Sequence, residues 1–169
     1  MKQTARNFFI VLGLLIASTS WAALTDFSGA THKLSDFTGN GKWTVVMFWA
    51  SDCRVCNAEI NQYIQFNNAH KNKDARIIGV SLDGQSGLLA AREFVKRHKV
   101  TFPNLVGAPQ EIANLYQSLT GSDWVGTPSF LVYNPQGKLM AAQAGAVPTA
   151  LIEKFIRLET YGIINKFYK

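Results

Sequence analysis

The hydrophobic residues of this chain fall into segments with distinct periods. Residues 43–50 form a nearly unbroken run of β-branched and aromatic side chains, and such a run predicts a central strand that is buried on both faces. In the next segment apolar residues recur at roughly helical spacing, which predicts a helix from Arg54 to Ala69. The chain therefore passes almost directly from a buried strand into a helix.

Strands and helices continue to alternate along the rest of the chain. The predicted elements are a hairpin at 27–34, strands at 76–82, 129–133 and 139–143, a short extended piece at 100–106, and helices that begin after Gly87, at Pro109 and near Thr149. This succession is typical of an α/β fold. The length of 169 residues and the 47% hydrophobic composition suit one globular domain.

Both cysteines of the chain, Cys53 and Cys56, lie where the buried strand ends and the helix begins. At a helix start, unpaired amide N–H groups and the positive end of the helix dipole point at the sulfur of Cys53. In Cys-x-x-Cys motifs this environment can lower a cysteine pKa from about 8.5 into the range of roughly 3.5–7.5. The pattern therefore favours a thiolate at Cys53, and a thiolate is the form that attacks disulfides.

Three further motifs accompany the cysteine pair: Glu59 three residues after Cys56, the stretch Ile78-Gly79-Val80-Ser81-Leu82-Asp83, and Gly126-Thr127-Pro128 ahead of a strand. With them, the chain from about Phe27 to about Phe155 resembles the exported thioredoxin-like thiol-disulfide oxidoreductases of the TlpA/ResA kind. The resemblance implies the thioredoxin fold, a central mixed β-sheet flanked by helices, here with an N-terminal hairpin extension.

The resemblance also implies a role for each site residue. Cys53 is expected to attack a client disulfide, and Cys56 is expected to resolve the mixed disulfide. Glu59 is expected to accept the proton of Cys56. Pro128 is expected to be cis and to place the Thr127 backbone opposite Cys53, where a client chain can pair with it.

The chain departs from the family pattern around the cysteines. Asp52 and Val55 stand where thioredoxin-like proteins usually carry Trp and often Pro, and Met47 replaces the buried aspartate of thioredoxin. Residues 120–124 resemble an insertion ahead of the proline loop, and Trp124 within it is a candidate to cover the face that position 52 leaves open. A core or loop-anchoring role for Trp124 is the alternative.

The first 22 residues have the pattern of a secretory signal peptide. Lys2 and Arg6 precede the apolar stretch from Phe8 to Ala17, and Ser20-Trp21-Ala22 offers small residues at the positions that signal peptidase requires. The apolar stretch is shorter than the roughly 20 residues that span a bilayer. We therefore expect cleavage after Ala22 and a soluble, exported domain at 23–169, periplasmic or its equivalent, with a membrane-anchored form as the alternative.

Export bears on how the cysteine pair is interpreted, because an oxidising compartment permits structural disulfides. A disulfide that closes a loop of four residues contributes only about 2 kcal/mol, so a purely structural role is disfavoured. Zinc is disfavoured because His32, His70 and His98 show no paired spacing for the two further ligands. Neither a metal nor an organic cofactor is expected.

Net charge argues against one class of partner. Removal of Lys2 and Arg6 with the signal lowers the formal net charge from +6 to +4. The basic residues are scattered, and those of the helix after Gly87 are interpreted as a solvated face. Nucleic-acid binding is therefore not expected, and the expected partners are client proteins with cysteines or disulfides.

The redox direction is open at the level of sequence. A reductant supplied by a membrane electron donor of the DsbD/CcdA kind is favoured, because Asp52 and Arg54 oppose each other beside Cys53 and leave only the helix N-terminus to stabilise the thiolate. A disulfide oxidase or isomerase is the alternative. A further alternative is a non-catalytic chaperone or copper-binding module on the same scaffold. The candidate copper ligand is His98, which lies on a helix rich in lysine and arginine and so makes a poor site. The Pro-x-x-x-Thr-x-x-Cys pattern of peroxidases is absent.

Overall fold

The computed structural model describes residues 24–162 and consists of one seven-stranded mixed sheet with helices on both faces. The predicted signal peptide lies outside the described residues. The strands are β1 Leu24–Asp26, β2 Thr31–His32, β3 Trp43–Trp49, β4 Ala75–Ser81, β5 Asn104–Val106, β6 Ser129–Tyr133 and β7 Leu139–Ala144. The helices are α1 Arg54–His70, α2 Leu88–His98, α3 Pro109–Thr120 and α4 Thr149–Thr160, with a short 3-10 turn at Leu34–Phe37.

Strand β3 lies inside the sheet, whose order is β2-β1-β5-β4-β3-β6-β7. All seven of its residues are buried, as its uninterrupted apolar pattern predicts. It pairs parallel to β4 over its whole length and antiparallel to β6, with Phe48 opposite Ser129. The carboxyl end of β3 therefore meets the amino end of β6, and this edge of the sheet brings the cysteine loop and the proline loop together.

The side chains of β3 alternate between two core clusters, one on each face of the sheet. Val45, Met47 and Trp49 join the cluster under α1, α2 and α4, which includes Phe94 and Ile152. Val46 and Phe48 join the cluster on the opposite face, which is covered by Ile112 and Tyr116 of α3. Each fully buried large apolar side chain contributes about 1.5–3 kcal/mol by leaving water, so both faces hold β3 in place.

The predicted elements agree with the structure to within a few residues. Helix α3 begins at Pro109, α4 begins at Thr149, and the Thr127–Pro128 peptide bond is cis as expected. The N-terminal hairpin is present, but its strands lie at Leu24–Asp26 and Thr31–His32 because residues 27–30 form the turn and not a strand.

One leucine departs from the apolar pattern of its helix. The helical spacing of apolar residues predicts that Leu119 lies in the buried stripe of α3 with Ile112, Leu115 and Tyr116, yet Leu119 is 37% exposed. It lies one residue before the end of α3. Within residues 24–162, no helix has both the length and the apolarity to cross a membrane.

Candidate active site

Cys53 and Cys56 form a disulfide at the start of α1, with their Cα atoms 5.2 Å apart. Cys53 is the N-cap of α1, and its Sγ accepts a hydrogen bond of 3.1 Å from the backbone N–H of Cys56. The side chain of Cys53 is half-buried, whereas Cys56 is fully buried. An N–H at a helix start stabilises negative charge on the sulfur that it contacts, so the more accessible of the two sulfurs is also the one placed for a thiolate.

Asp83, in the loop after β4, fixes the segment ahead of Cys53. Its carboxylate accepts hydrogen bonds from the backbone N–H of Ser51 at 3.0 Å and from the Ser51 hydroxyl at 2.6 Å. The hydroxyl of Ser81 donates to the same carboxylate at 2.6 Å. The Ser81-Leu82-Asp83 motif therefore restrains the cysteine loop from the neighbouring strand, a function that its sequence does not reveal.

Asn57, one turn into α1, restrains the same loop from the helix side. Its side-chain amide nitrogen donates to the carbonyl oxygens of Ser51 at 3.0 Å and Cys53 at 2.9 Å. Its amide oxygen accepts from Arg97 and from Nε2 of His98, both at 3.0 Å. Arg97 is therefore not only part of a solvated basic face, since it and His98 both bind the residue that restrains the cysteine loop.

Nothing in the hydrophobic pattern indicates that the end of α2 reaches the start of α1. The packing explains it, because Phe94 stacks on Trp49 with ring centroids 4.3 Å apart and directs the last turn of α2 toward the cysteine loop. Burial, followed by the positive charge of Arg97, lowers the pKa of His98 below its ordinary value of 6.5. The imidazole is therefore less readily protonated than that of an ordinary histidine.

Glu59 lies two turns into α1 and is partly buried. Its carboxylate accepts a hydrogen bond from the side-chain amide of Gln62. The amide oxygen of Gln62 accepts from the backbone N–H of Thr149 at 2.9 Å. Burial raises the pKa of the nearby Tyr63, and the charge of Glu59 acts in the same direction.

The cis-proline loop lies beside the end of β3. Since Ser129 pairs with Phe48, the preceding residues Thr127 and Pro128 lie alongside the segment that leads to Cys53. Pro128 is buried and Thr127 is half-buried. The side chain of Val125 in the same loop is 77% exposed, so the loop presents an apolar group to solvent.

Trp124 occupies a different environment from the cysteines. It packs against the core cluster that contains Phe48 and Tyr116, whereas Cys56 belongs to the cluster on the other face of the sheet. The indole nitrogen of Trp124 is buried without a hydrogen-bond partner. The structure thus brings Cys53, Cys56 and Glu59 onto one helix near the proline loop and holds Trp124 against the opposite core.

No group of three or more histidine, cysteine, aspartate or glutamate side chains in the described part of the chain is arranged to hold a metal ion. His98, the candidate copper ligand, contacts Asn57.

Comparison with known proteins agrees with this geometry. Residues 20–142 match the AhpC/TSA family. The chain is 27% identical over 139 residues to the thiol-disulfide oxidoreductase ResA of Bacillus subtilis, and the match covers 80% of this chain and 70% of that protein. It is also 30% identical over 113 residues to alkyl hydroperoxide reductase C of Mycobacterium tuberculosis, covering 63% and 56%.

Among solved structures, the thioredoxin domain of a thiol-disulfide oxidoreductase from Bacteroides vulgatus is similar, with a TM-score of 0.64 and 26% sequence identity. The match covers 81% of this chain and 96% of that one. The expected fold and the resemblance to the TlpA/ResA kind are thereby confirmed.

Proposed function

The chain belongs to the AhpC/TSA family and is a thiol-disulfide oxidoreductase with the thioredoxin fold, and on this premise we propose that Cys53 and Cys56 reduce the disulfides of client proteins outside the cytoplasm. The observation that carries the proposal is that the two sulfurs differ in exposure and in hydrogen bonding. Cys53 is accessible and accepts the N–H of Cys56, whereas Cys56 is fully buried behind it.

The exchange proceeds in two balanced steps. The Cys53 thiolate attacks one sulfur of the client disulfide, so that a mixed disulfide forms and the other client sulfur leaves as a thiolate that takes up a proton. Cys56 then loses its proton and attacks the Sγ of Cys53, which breaks the mixed disulfide. The client leaves with both of its sulfurs reduced, and the two electrons come from the Cys53–Cys56 dithiol, which becomes the disulfide.

Glu59 is proposed to accept the proton that Cys56 loses in the second step. The proposal is supported by its position three residues after Cys56 on the same helix and by its partial burial. Gln62 donates to its carboxylate and in turn accepts from Thr149 of α4, so the carboxylate is held in place. Proton transfer requires such a held group, reached directly or through one water.

The client is proposed to bind across the proline loop. Pro128 carries no N–H and interrupts hydrogen bonding at this point, so the Thr127 backbone is available to an extended client segment. Val55 lies between the two cysteines and is 44% exposed, and Val125 lies three residues before Pro128 and is 77% exposed. Both suit apolar client residues. Trp124 packs against the opposite core cluster, and it is proposed to support this surface by anchoring the loop that carries Val125.

Export and electron supply form a separate part of the proposal. The signal-like residues 1–22 support cleavage after Ala22 and release of 23–169 into an extracytoplasmic compartment such as the periplasm. There a membrane donor of the DsbD/CcdA kind is proposed to return the disulfide to the dithiol, because the proposed direction of exchange oxidises the pair at every turnover.

The similarity to an alkyl hydroperoxide reductase raises peroxide reduction as a second candidate, but the residues do not favour it. If Cys53 were the cysteine of the Pro-x-x-x-Thr-x-x-Cys pattern, positions 46 and 50 would hold proline and threonine. They hold Val46 and Ala50, so the hydroxyl and the proline of that pattern are both missing.

The test is to trap the mixed disulfide. In cells, Cys56→Ser is expected to accumulate mixed disulfides with client proteins, because it keeps the attacking thiol and lacks the resolving one. Cys53→Ser is expected to accumulate none, and it serves as the matched control because it also keeps a single thiol. Non-reducing gels of alkylated extracts give the readout, and equal trapping by the two variants would refute the assignment of roles.

A further inference from the structure

The side chain of Asn57 makes all the hydrogen bonds that an amide of this kind can make. Its nitrogen donates twice, to the carbonyl oxygens of Ser51 and Cys53. Its oxygen accepts twice, from Arg97 and His98. A carboxamide carries two donors and two acceptor sites, so Asn57 is fully satisfied in this one arrangement.

The partners also fix the direction of the amide. Both carbonyl oxygens can only accept, and the guanidinium of Arg97 can only donate. Turning the amide over would therefore place oxygen against oxygen and N–H against N–H. The orientation follows from the chemistry of the neighbours, which gives Asn57 one stable rotamer.

The two carbonyls belong to the segment that presents the attacking thiol. The carbonyl of Cys53 also accepts the backbone N–H of Asn57 at 3.0 Å, and the N–H of Cys53 donates to Ala50 at 3.1 Å. Fixing the carbonyl of Cys53 fixes its peptide plane, and with it the direction of the Cα–Cβ bond. The Sγ then stays in line with the N–H of Cys56, which lies 3.1 Å away.

We propose that Asn57 is the positioning residue for Cys53, through a bridge that runs from the backbone of residues 51–53 through its amide to Arg97 and His98 at the end of α2. The inference rests on the proposed role of Cys53 as the attacking thiol. Asn57 does not touch the reacting sulfur. It acts by keeping the sulfur against the N–H that stabilises its negative charge, while Arg97 adds positive charge at the far end of the bridge.

The bridge makes α2 part of the active site. Without Arg97 and His98 the amide oxygen of Asn57 would face solvent, and the amide could rotate away from the cysteine loop. The stack of Phe94 on Trp49 holds this end of α2 in place, so the restraint on Cys53 extends into the core of the protein.

The experiment measures the pKa of Cys53 in a Cys56→Ser background, in which Cys53 is the only thiol of the chain. The rate of alkylation by iodoacetamide is followed from pH 4 to 9 for the background and for Asn57→Ala and Asn57→Asp. Losing a hydrogen-bonded restraint on a thiolate is expected to raise its pKa by about half a unit to one unit, which slows alkylation at pH 6 about three- to tenfold. Asn57→Asp should show the larger shift, because it also adds a negative charge.

Asn61→Asp is the matched control, because it makes the same substitution one turn further along α1 at an exposed position. In this variant the pKa of Cys53 should stay within about 0.2 unit of its value in the Cys56→Ser background, as expected for a screened surface charge. Asp52 and Arg54, which flank Cys53, remain unchanged in every variant.

Two further variants keep the test decisive if Asn57→Ala fails to fold. Arg97→Ala and His98→Ala each remove one donor to the Asn57 oxygen and should raise the pKa of Cys53 by a smaller amount. The proposal is overturned if the folded variants of Asn57, Arg97 and His98 all leave the pKa unchanged. If Cys53 in the Cys56→Ser variant has a pKa near 8.5 and the same variant traps no client proteins, the result would instead count against the proposed function.

Discussion

At the scale of single residues, two side chains far apart in sequence hold the loop that carries Cys53. Asp83 accepts from the backbone and the hydroxyl of Ser51, and Asn57 donates to the carbonyls of Ser51 and Cys53. The loop between a buried strand and a helix has few backbone partners of its own. These side chains supply the missing ones, which keeps the cysteine pair in a fixed geometry.

The proposed proton acceptor can be tested by one conservative substitution. Glu59→Gln keeps the size of the side chain and an oxygen for Gln62, but it removes the basic group. Release of mixed disulfides is expected to slow about tenfold or more, with little loss of stability. Quenched reactions from pH 6 to 9 measure this, with Glu93→Gln on the exposed face of α2 as the control. If the rates of release are unchanged from pH 6 to 9, Glu59 is an ordinary helix residue with no role in proton transfer.

His98 predicts a dependence of stability on pH. Its folded-state pKa lies below the ordinary value of 6.5 because of burial and then Arg97, so the unfolded chain binds the proton first as the pH falls. Unfolding therefore becomes easier below pH 6.5, and the contribution is lost as the pH falls through the folded-state pKa. Well above pH 6.5 both states are neutral at this residue and the contribution is complete.

His98→Gln is the variant that checks this sign, because glutamine can still donate to Asn57 and does not titrate. Urea unfolding at pH 7.5 and pH 5 is expected to show a smaller loss of free energy of unfolding at pH 5 in the variant than in the wild type. The carboxylates contribute equally to both proteins and cancel in the comparison. Equal losses would mean that burial of His98 does not oppose its protonation.

At the scale of secondary structure elements, β3 and β4 with the start of β5 form the frame of the site. Their close approach depends on Gly79, because a Cβ at this position would overlap Oδ1 of Asn104 and lie 2.8 Å from Nε1 of Trp49. Those two atoms are themselves joined by a hydrogen bond of 3.0 Å. Trp49 in turn stacks on Phe94 of α2, so the packing at Gly79 extends to the cysteine loop.

Gly79→Ala is therefore expected to lower the free energy of unfolding by about 1–3 kcal/mol, the usual cost of forcing a methyl group into a packed core. Urea unfolding measures this difference. In an Asn104→Ala background the same substitution should cost less, because the atom that the methyl group overlaps is gone. A cost below about 0.5 kcal/mol in the wild-type background would show that the side chains of Asn104 and Trp49 move aside easily.

At the scale of the whole molecule, the sheet order brings three separate segments to one edge. The end of β3, the start of α1 and the start of β6 meet there because β6 runs antiparallel to β3, while Asp83 arrives at the same edge on the parallel strand β4. Cys53, Pro128 and Asp83 thus converge although they span residues 53–128. The remainder of the protein supports this edge from two core clusters.

The prediction that concerns the whole molecule is the redox potential of the Cys53–Cys56 pair. Asp52 and Arg54 are both exposed, so their opposing effects on the Cys53 thiolate are weak and nearly cancel. The helix N-terminus then remains as the main stabilising influence, and equilibrium with glutathione is expected to give a potential below about −200 mV. A value near −120 mV would refute the reductant assignment and favour a disulfide oxidase.

Two matched variants support that measurement. Asp52→Asn removes a negative charge, stabilises the reduced form and should raise the potential by about 10–30 mV. Arg54→Gln should lower it by a similar amount for the opposite reason. Shifts of the same sign in the two variants would mean that the flanking charges act through structure and not through their field.

The sequence by itself determined most of the elements and the place of the cysteine pair at the start of α1. An uninterrupted apolar run predicted β3, helical spacing predicted α1, and the position of Cys53 before α1 predicted a stabilised thiolate. These features are local, because a hydrophobic period, a helix start and the spacing of two cysteines are each written within one short stretch of the chain. The cis-proline was predicted from the resemblance to a family, and its placement beside β3 follows from the pairing of Phe48 with Ser129.

The tertiary structure alone decided which distant side chains surround the cysteines. The contacts of Asn57 with Arg97 and His98, and of Asp83 with Ser51, join residues 32–41 positions apart. Such contacts depend on where the end of α2 meets the start of α1 and on the parallel pairing of β3 and β4, and no periodic pattern encodes how distant elements meet. Packing between elements therefore decides the electrostatic surroundings of Cys53, while the local sequence decides that a cysteine stands there.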